Sequence, residues 1–121
     1  MLFLVVDDDR DASELLATSL RQKGHEVDIV YLGKEGLTAV ADKKPDAVFL
    51  DIRLPDLNGI EVLKMIKSMD PQMPVIMVTG FKDAEKVVNA FREGCLDCLL
   101  KPFNLDYLKN EVLPKIPLRK K

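Results

Sequence analysis

Three carboxylates stand side by side near the start of the chain, Asp7, Asp8 and Asp9 in "MLFLVVDDDRDA", directly after an apolar run. Two carboxylates ~4 Å apart repel by roughly 4 kcal/mol at an effective dielectric of ~20. Such a cluster must be fully solvated or offset by positive charge. Other chemistry-bearing residues close other apolar runs: Asp51 ends "AVFLD", Thr79 stands at the end of "VIMVT", and Lys101 follows "CLL". Carboxylates, a hydroxyl and an ammonium form a coherent set. Oxygen ligands of this kind suit Mg²⁺, which keeps several waters and takes one or two carboxylates directly. The ammonium adds positive charge toward an anion. Asp9 stands where a helix is expected to begin and is read as its N-cap rather than as a ligand.

These residues work together only if the fold collects them. The apolar runs at 2–6, 27–30, 47–50, 75–78 and 96–100 are nearly unbroken, the pattern of strands buried on both faces. Helical spacing lies between them. Ala12, Leu15, Leu16 and Leu20 make one stripe, Ile60, Leu63 and Ile66 a second. Ala84, Val87, Val88 and Phe91 make a third, and Leu105, Leu108 and Val112 a fourth. Glycine and proline punctuate the segments. The alternation is βα repeated about five times, which predicts an α/β fold with a parallel sheet between helices. In open parallel sheets, ligands bind beyond the carboxyl ends of the strands. Asp7, Asp8, Asp51, Thr79 and Lys101 all fall at such ends, so one sheet edge should gather them.

The totals agree with one domain. The chain has 121 residues, 47% of them hydrophobic and 31% charged, with a formal net charge of −2. This gives no electrostatic reason to bind nucleic acid or an anionic membrane. No apolar run approaches the ~20 residues that span a bilayer. "MLFLVV" lacks the basic start of a signal peptide, and a cytoplasmic location is expected. Residues 1–115 are expected to form the domain. The tail "PKIPLRKK" shifts composition, and residues 116–121 read either as a solvated basic tail or as the start of a linker. Cys95 and Cys98 spell C-x-x-C, but they lead into an apolar strand and lack further zinc ligands, so both are expected to be small packing residues. His25, in "KGHEV", is expected in a solvated turn.

With these pieces in place, the chain resembles the receiver domain of two-component response regulators. "VVDDD", "AVFLDIRLPDLNGIEVL", "PVIMVTG" and "LLKPF" match in order and spacing over essentially the whole chain. The resemblance implies a flavodoxin-like, doubly wound (βα)5 fold with strand order 2-1-3-4-5 (a receiver is a standard example of that order). It implies that Asp51 is the phosphoacceptor. Asp8 and Asp51 would ligate Mg²⁺ directly, Asp7 through water, and the Arg53 backbone carbonyl would be a further ligand. Thr79 would bond the phosphoryl group, Lys101 would pair with it, and Gly80 would leave it access. Lys101–Pro102 would be a cis peptide, which proline permits. The phosphoryl group would come from a sensor histidine kinase, a phosphotransfer protein or a small phosphodonor. The domain would not be an enzyme with its own substrate, but would catalyse its own phosphorylation and slow dephosphorylation. The face of the fourth helix, fifth strand and fifth helix would carry the signal to a downstream protein, to a fused output domain or to a second copy in a homodimer formed on phosphorylation.

Three positions depart from the family pattern or vary within it. Cys98 stands where the family usually has an aromatic residue or His, three positions before the lysine, so no ring is available to swing inward. Arg53 and Phe81 occupy the variable positions two residues after Asp51 and Thr79, where bulk would screen the attacking water. Two other readings compete. One is a degenerate receiver acting as an unphosphorylated interaction module. The other is a small Mg²⁺-dependent phosphatase with an aspartyl-phosphate intermediate, for which Asp7 and Asp9 have D-x-D spacing but not the residue that should follow.

Overall fold

The structure, a computed structural model, describes residues 1–117. Strands β1 (Leu2–Val6), β2 (Glu26–Val30), β3 (Ala47–Asp51), β4 (Val75–Thr79) and β5 (Asp97–Leu100) pair in parallel in the order β2-β1-β3-β4-β5. Helices α1 (Arg10–Gln22), α2 (Gly33–Lys43) and α3 (Gly59–Met69) are regular. After β4 the chain winds as a 3₁₀ helix over Phe81–Lys86 before α4 (Val87–Arg92). After β5, α5 (Leu105–Tyr107) runs on through a π-helical turn at Leu108–Val112 and a 3₁₀ turn at Leu113–Lys115.

Strand side chains alternate between two apolar layers, as a pleat of period two requires. Leu4, Val6, Val48, Leu50, Val75 and Met77 pack against Val40, Val62, Leu63, Ile66 and Ala90 of α2, α3 and α4. Phe3, Val5, Phe49, Ile76, Val78 and Leu99 pack against Leu16, Leu20, Leu108 and Val112 on the α1 and α5 side. Ile116, assigned by composition to the tail, is buried in this second layer. Residues 118–121, the rest of that tail, lie outside the described residues.

The helical stripes need two corrections. Val88 and Phe91 are exposed, and Ala90 is the buried residue of α4. The 3₁₀ turn before α4 advances three residues per turn, which breaks the 3.6-residue phase that linked position 84 to 87, 88 and 91. The side chain of Ala84 lies outside the described residues. In α1, Leu15 is exposed while Ser13 and Ser19 are buried. Their hydroxyls donate to the Arg10 and Leu15 carbonyls at 3.1 and 3.0 Å, so burial leaves no unpaired group. His25 is not simply solvated either. It is half-buried, with its ring 4.7 Å from that of Phe3.

Candidate functional site

The carboxyl ends of the strands form one edge, and every residue expected there is on it. Asp7 follows β1 and Asp8 is next to it, Asp51 ends β3, Thr79 ends β4, and Lys101 follows β5. β3 is central and its five residues are all buried, which holds Asp51 at the floor of the site. Asp7 and Thr79 are buried and Asp8 is exposed. Asp7, Asp8 and Asp51 each offer an oxygen within 4.8 Å of the others. Among the described residues this is the one such group of acids, cysteines or histidines.

Lys101 spans the cluster. Its Nζ lies 2.9 Å from Asp7 Oδ2, 3.3 Å from Asp51 Oδ2 and 3.7 Å from Asp9 Oδ2. The Lys101–Pro102 peptide is cis. One ammonium among these acids leaves the site anionic. Burial, the side-chain hydrogen bond with Asp7 and the charge of Asp7 raise the Asp51 carboxyl to about 7, against the opposing pull of Lys101 and the Arg53 N–H. Burial alone would lower the Lys101 ammonium, but its bond to Asp7 and the charges of Asp51 and Asp7 hold it above its ordinary value.

Local turns fix the frame. Asp9 caps α1 by accepting the Ala12 N–H at 3.1 Å, and its own N–H donates to Asp7 Oδ1 at 3.0 Å. Asn58 caps α3, accepting the Ile60 N–H at 2.8 Å. Asp56, in the loop after β3, accepts the N–H groups of Gly33 and Lys34 at 2.8 and 3.0 Å, tying that loop to the start of α2. These bonds hold its carboxyl below the usual range. At Gly59 a Cβ would come within 2.1 Å of the Asp51 carbonyl oxygen, so α3 can start this close to β3 only with glycine. A Cβ at Gly80 meets nothing within 4 Å, and alanine would fit there equally well.

Arg53 donates its backbone N–H to Asp51 Oδ1 at 3.2 Å and its Nε to Asp83 Oδ2 at 2.6 Å. Asp83 carries no signal in the sequence; it lies in the 3₁₀ segment, and only the packing of two loops makes it a neighbour of the site. Thr79 Oγ1 donates to the Gly80 carbonyl at 3.2 Å. Cys98 is half-buried and packs against the layer formed with α2, α3 and α4. Burial, with the charge of Asp97 adding to it, pushes the Cys98 thiol up to about 11. Burial and the neighbouring Cys98 push Cys95 up to about 12. Both thiols are therefore protonated at neutral pH, which disfavours a nucleophile or metal ligand. The side chain of Phe81 lies outside the described residues.

The chain has counterparts among known proteins. Residues 3–113 match the family model for the response regulator receiver domain. The chain belongs to that family. It is 39% identical over 112 residues to the transcriptional regulatory protein ZraR of Salmonella typhimurium, covering 93% of this chain and 25% of that protein. It is 38% identical over 105 residues to the regulatory protein AtoC of Escherichia coli, covering 87% and 23%. The crystal structure of the receiver domain of NtrX from Brucella abortus superimposes with a TM-score of 0.89 at 37% identity, over 94% of this chain and 97% of that one. A CheY-like receiver domain protein from Methanospirillum hungatei gives a TM-score of 0.88 at 31% identity, over 95% and 92%. The chain spans about a quarter of the length of the curated relatives it matches. As a receiver domain of response regulators, it is a phosphoacceptor switch. The phosphatase and interaction-module readings are not favoured by these matches. Among the described residues, no helix of this receiver is long and apolar enough to cross a membrane.

Proposed function

We propose that Asp51 accepts a phosphoryl group and that Asp51, Asp7, Asp8 and the Arg53 carbonyl would hold Mg²⁺. The observation that carries this is the meeting of three carboxylates within 4.8 Å beside Lys101. The donor set is all oxygen, and one exposed and two buried acids leave an entrance for water and donor. When bound, the ion supplies positive charge that offsets the crowded carboxylates and the incoming phosphoryl oxygens. An Asp51 carboxylate oxygen attacks phosphorus as the bond from phosphorus to the donor breaks, and the electron pair leaves with the donor. Lys101 pairs with the transferred oxygens, Thr79 turns its hydroxyl from the Gly80 carbonyl toward them, and Gly80 leaves the approach open. Attack of water on the same phosphorus later breaks its bond to the Asp51 oxygen and releases inorganic phosphate, which resets the domain, and Arg53 sets how freely that water enters.

The donor is a histidine kinase, a phosphotransfer protein or a small acyl phosphate. The readout face is that of α4, β5 and α5, where Val88, Phe91, Leu100 and Tyr107 are exposed. Its partner is a fused output domain, a separate protein or a second phosphorylated copy. Residues 1–116 act as the switch, with Ile116 packed into its second apolar layer. With Cys98 in place of a ring, movement of Thr79 reaches this face through packing instead of an aromatic swing. The domain turns over no separate substrate and works in the cytoplasm. Intact-mass measurement after incubation with Mg²⁺ and acetyl phosphate tests the reading. One added phosphoryl group is expected in the wild type and none in Asp51→Ala. No adduct in the wild type, with no binding of beryllofluoride, sinks the assignment.

A further inference from the structure

A further buried carboxylate lies beside the acid cluster, and its main partner belongs to the site. Asp83 is 4% exposed, in the 3₁₀ turn that follows β4. Its Oδ2 accepts Arg53 Nε at 2.6 Å, and Lys86 Nζ stands 3.4 Å from its Oδ1. That Oδ1 is buried and makes no hydrogen bond. The Asp83 N–H donates to the Gly80 carbonyl at 3.1 Å, while the Arg53 N–H donates to Asp51 Oδ1. The Arg53–Asp83 pair thus ties the loop that follows Asp51 to the 3₁₀ turn that follows Thr79 and Gly80.

The two partners are unequal. The Arg53 side chain is 65% exposed and that of Asp83 is 5% exposed. The carboxylate is fixed in its turn, whereas the guanidinium sits on a long solvated stem and can leave. A guanidinium has five donors, of which Asp83 engages one here. A phosphoryl group on Asp51 would present about −1.5 to −2 charges and three strong acceptors, a better bidentate partner than a single carboxylate oxygen.

We propose that Asp83 is a positioning residue that holds the Arg53 guanidinium away from Asp51 in the resting receiver, and that a phosphoryl group on Asp51 competes with Asp83 for it. This rests on the reading of Asp51 as acceptor. Release of Arg53 costs the resting pair, so Asp83 weakens the hold on the phosphoryl group. It also frees the turn after Thr79 and Gly80 to close on the phosphoryl oxygens.

The test is calorimetric titration of the whole chain with beryllofluoride in saturating Mg²⁺, for wild type, Asp83→Asn, Arg53→Gln and the double variant. Asp83→Asn is expected to bind roughly three- to five-fold more tightly than wild type, the scale of an exposed ion pair. In the Arg53→Gln background the same change is expected to have no effect, a non-additivity that a merely structural role would not give. Equal effects of Asp83→Asn in both backgrounds, or none in either, overturn the proposal. The Arg53 Nε–H resonance of the wild type gives an independent readout should Asp83→Asn fold poorly. It is expected to shift on beryllofluoride binding, and an unmoved resonance overturns the proposal. A wild type that binds no beryllofluoride overturns the acceptor reading and this one together; binding with wild type and Asp83→Asn indistinguishable overturns this one alone.

Discussion

Asp51 and Asp97 are equally buried, each 6% exposed, at opposite ends of the same sheet, on strands that β4 separates. Asp51 closes β3 and Asp97 opens β5. Their chemistry nonetheless diverges. Asp97 accepts the Cys98 N–H at 2.7 Å, the Tyr107 hydroxyl at 2.9 Å and Lys115 Nζ at 2.8 Å. Burial pushes its carboxyl up, but the bonds from Lys115, Cys98 and Tyr107 outweigh that and hold it below the usual range. Asp51 has the Arg53 N–H and a shared lysine, against the like charge of Asp7, and is raised to about 7. Burial alone therefore does not decide where a carboxyl titrates. The balance of donors against neighbouring acids does. Asp97 is saturated by its own domain; Asp51 is short of positive charge.

The largest expected contrast is in phosphoryl uptake. Asp51→Asn should abolish incorporation from acetyl phosphate entirely, while Asp97→Asn keeps it, as read by intact mass. Loss of uptake in Asp97→Asn with the fold retained would break the distinction between the two carboxylates.

Metal binding sharpens it further. A ligand at about 100 times its Kd stabilises the folded state by about 2.7 kcal/mol. Mg²⁺ at that level should raise the Tm of the wild type and of Asp97→Asn alike, and leave Asp8→Ala nearly unmoved. The gain should be greater at pH 8 than at pH 5, because protons compete for a carboxyl raised to about 7.

The smallest effects lie in the metal-free pH profile. Asp51 is raised from 3.8 to about 7, so between these values the folded state holds a proton that the unfolded chain has released. Its contribution to stability therefore falls as pH rises through that window, and Asp51→Asn should flatten this limb in urea melts without Mg²⁺. Asp97 has the opposite sign. Its lowered carboxyl gives stability that is present above the ordinary aspartate range and is lost as pH falls below it. Asp97→Asn should cost about 1–3 kcal/mol at neutral pH, the scale of a disrupted buried hydrogen-bond group. It should also weaken the acid limb. A pH profile of Asp51→Asn identical to the wild type would contradict the raised carboxyl.

Much of this site is legible in the chain before any fold is known. Asp7, Asp8, Asp51, Thr79 and Lys101 each follow an apolar run, and strands of a parallel sheet all end on one edge. The cap formed by Asp9 is readable too, since a helix start needs a short acceptor for its free N–H groups. Asp83 is not readable, because nothing local marks it and its partner is 30 residues away. The exposure of Val88 and Phe91 is hidden for a related reason. A helical stripe fixes relative phase, but the 3₁₀ turn before α4 resets which face meets the sheet.

The sequence by itself determined the strand and helix order, the alternation that fills two apolar layers, and the inventory of acids, hydroxyl and lysine at one edge. Those follow from periodicity and from the direction of the chain, which are local. Tertiary structure decided the strengths: that Lys101 lies within 3.3 Å of both Asp7 and Asp51, that Asp51 is left short of donors while Asp97 is saturated, and that Arg53 is held by Asp83. Charge energies depend on distance and on the water excluded between groups. Both are set only when elements distant in the chain pack together.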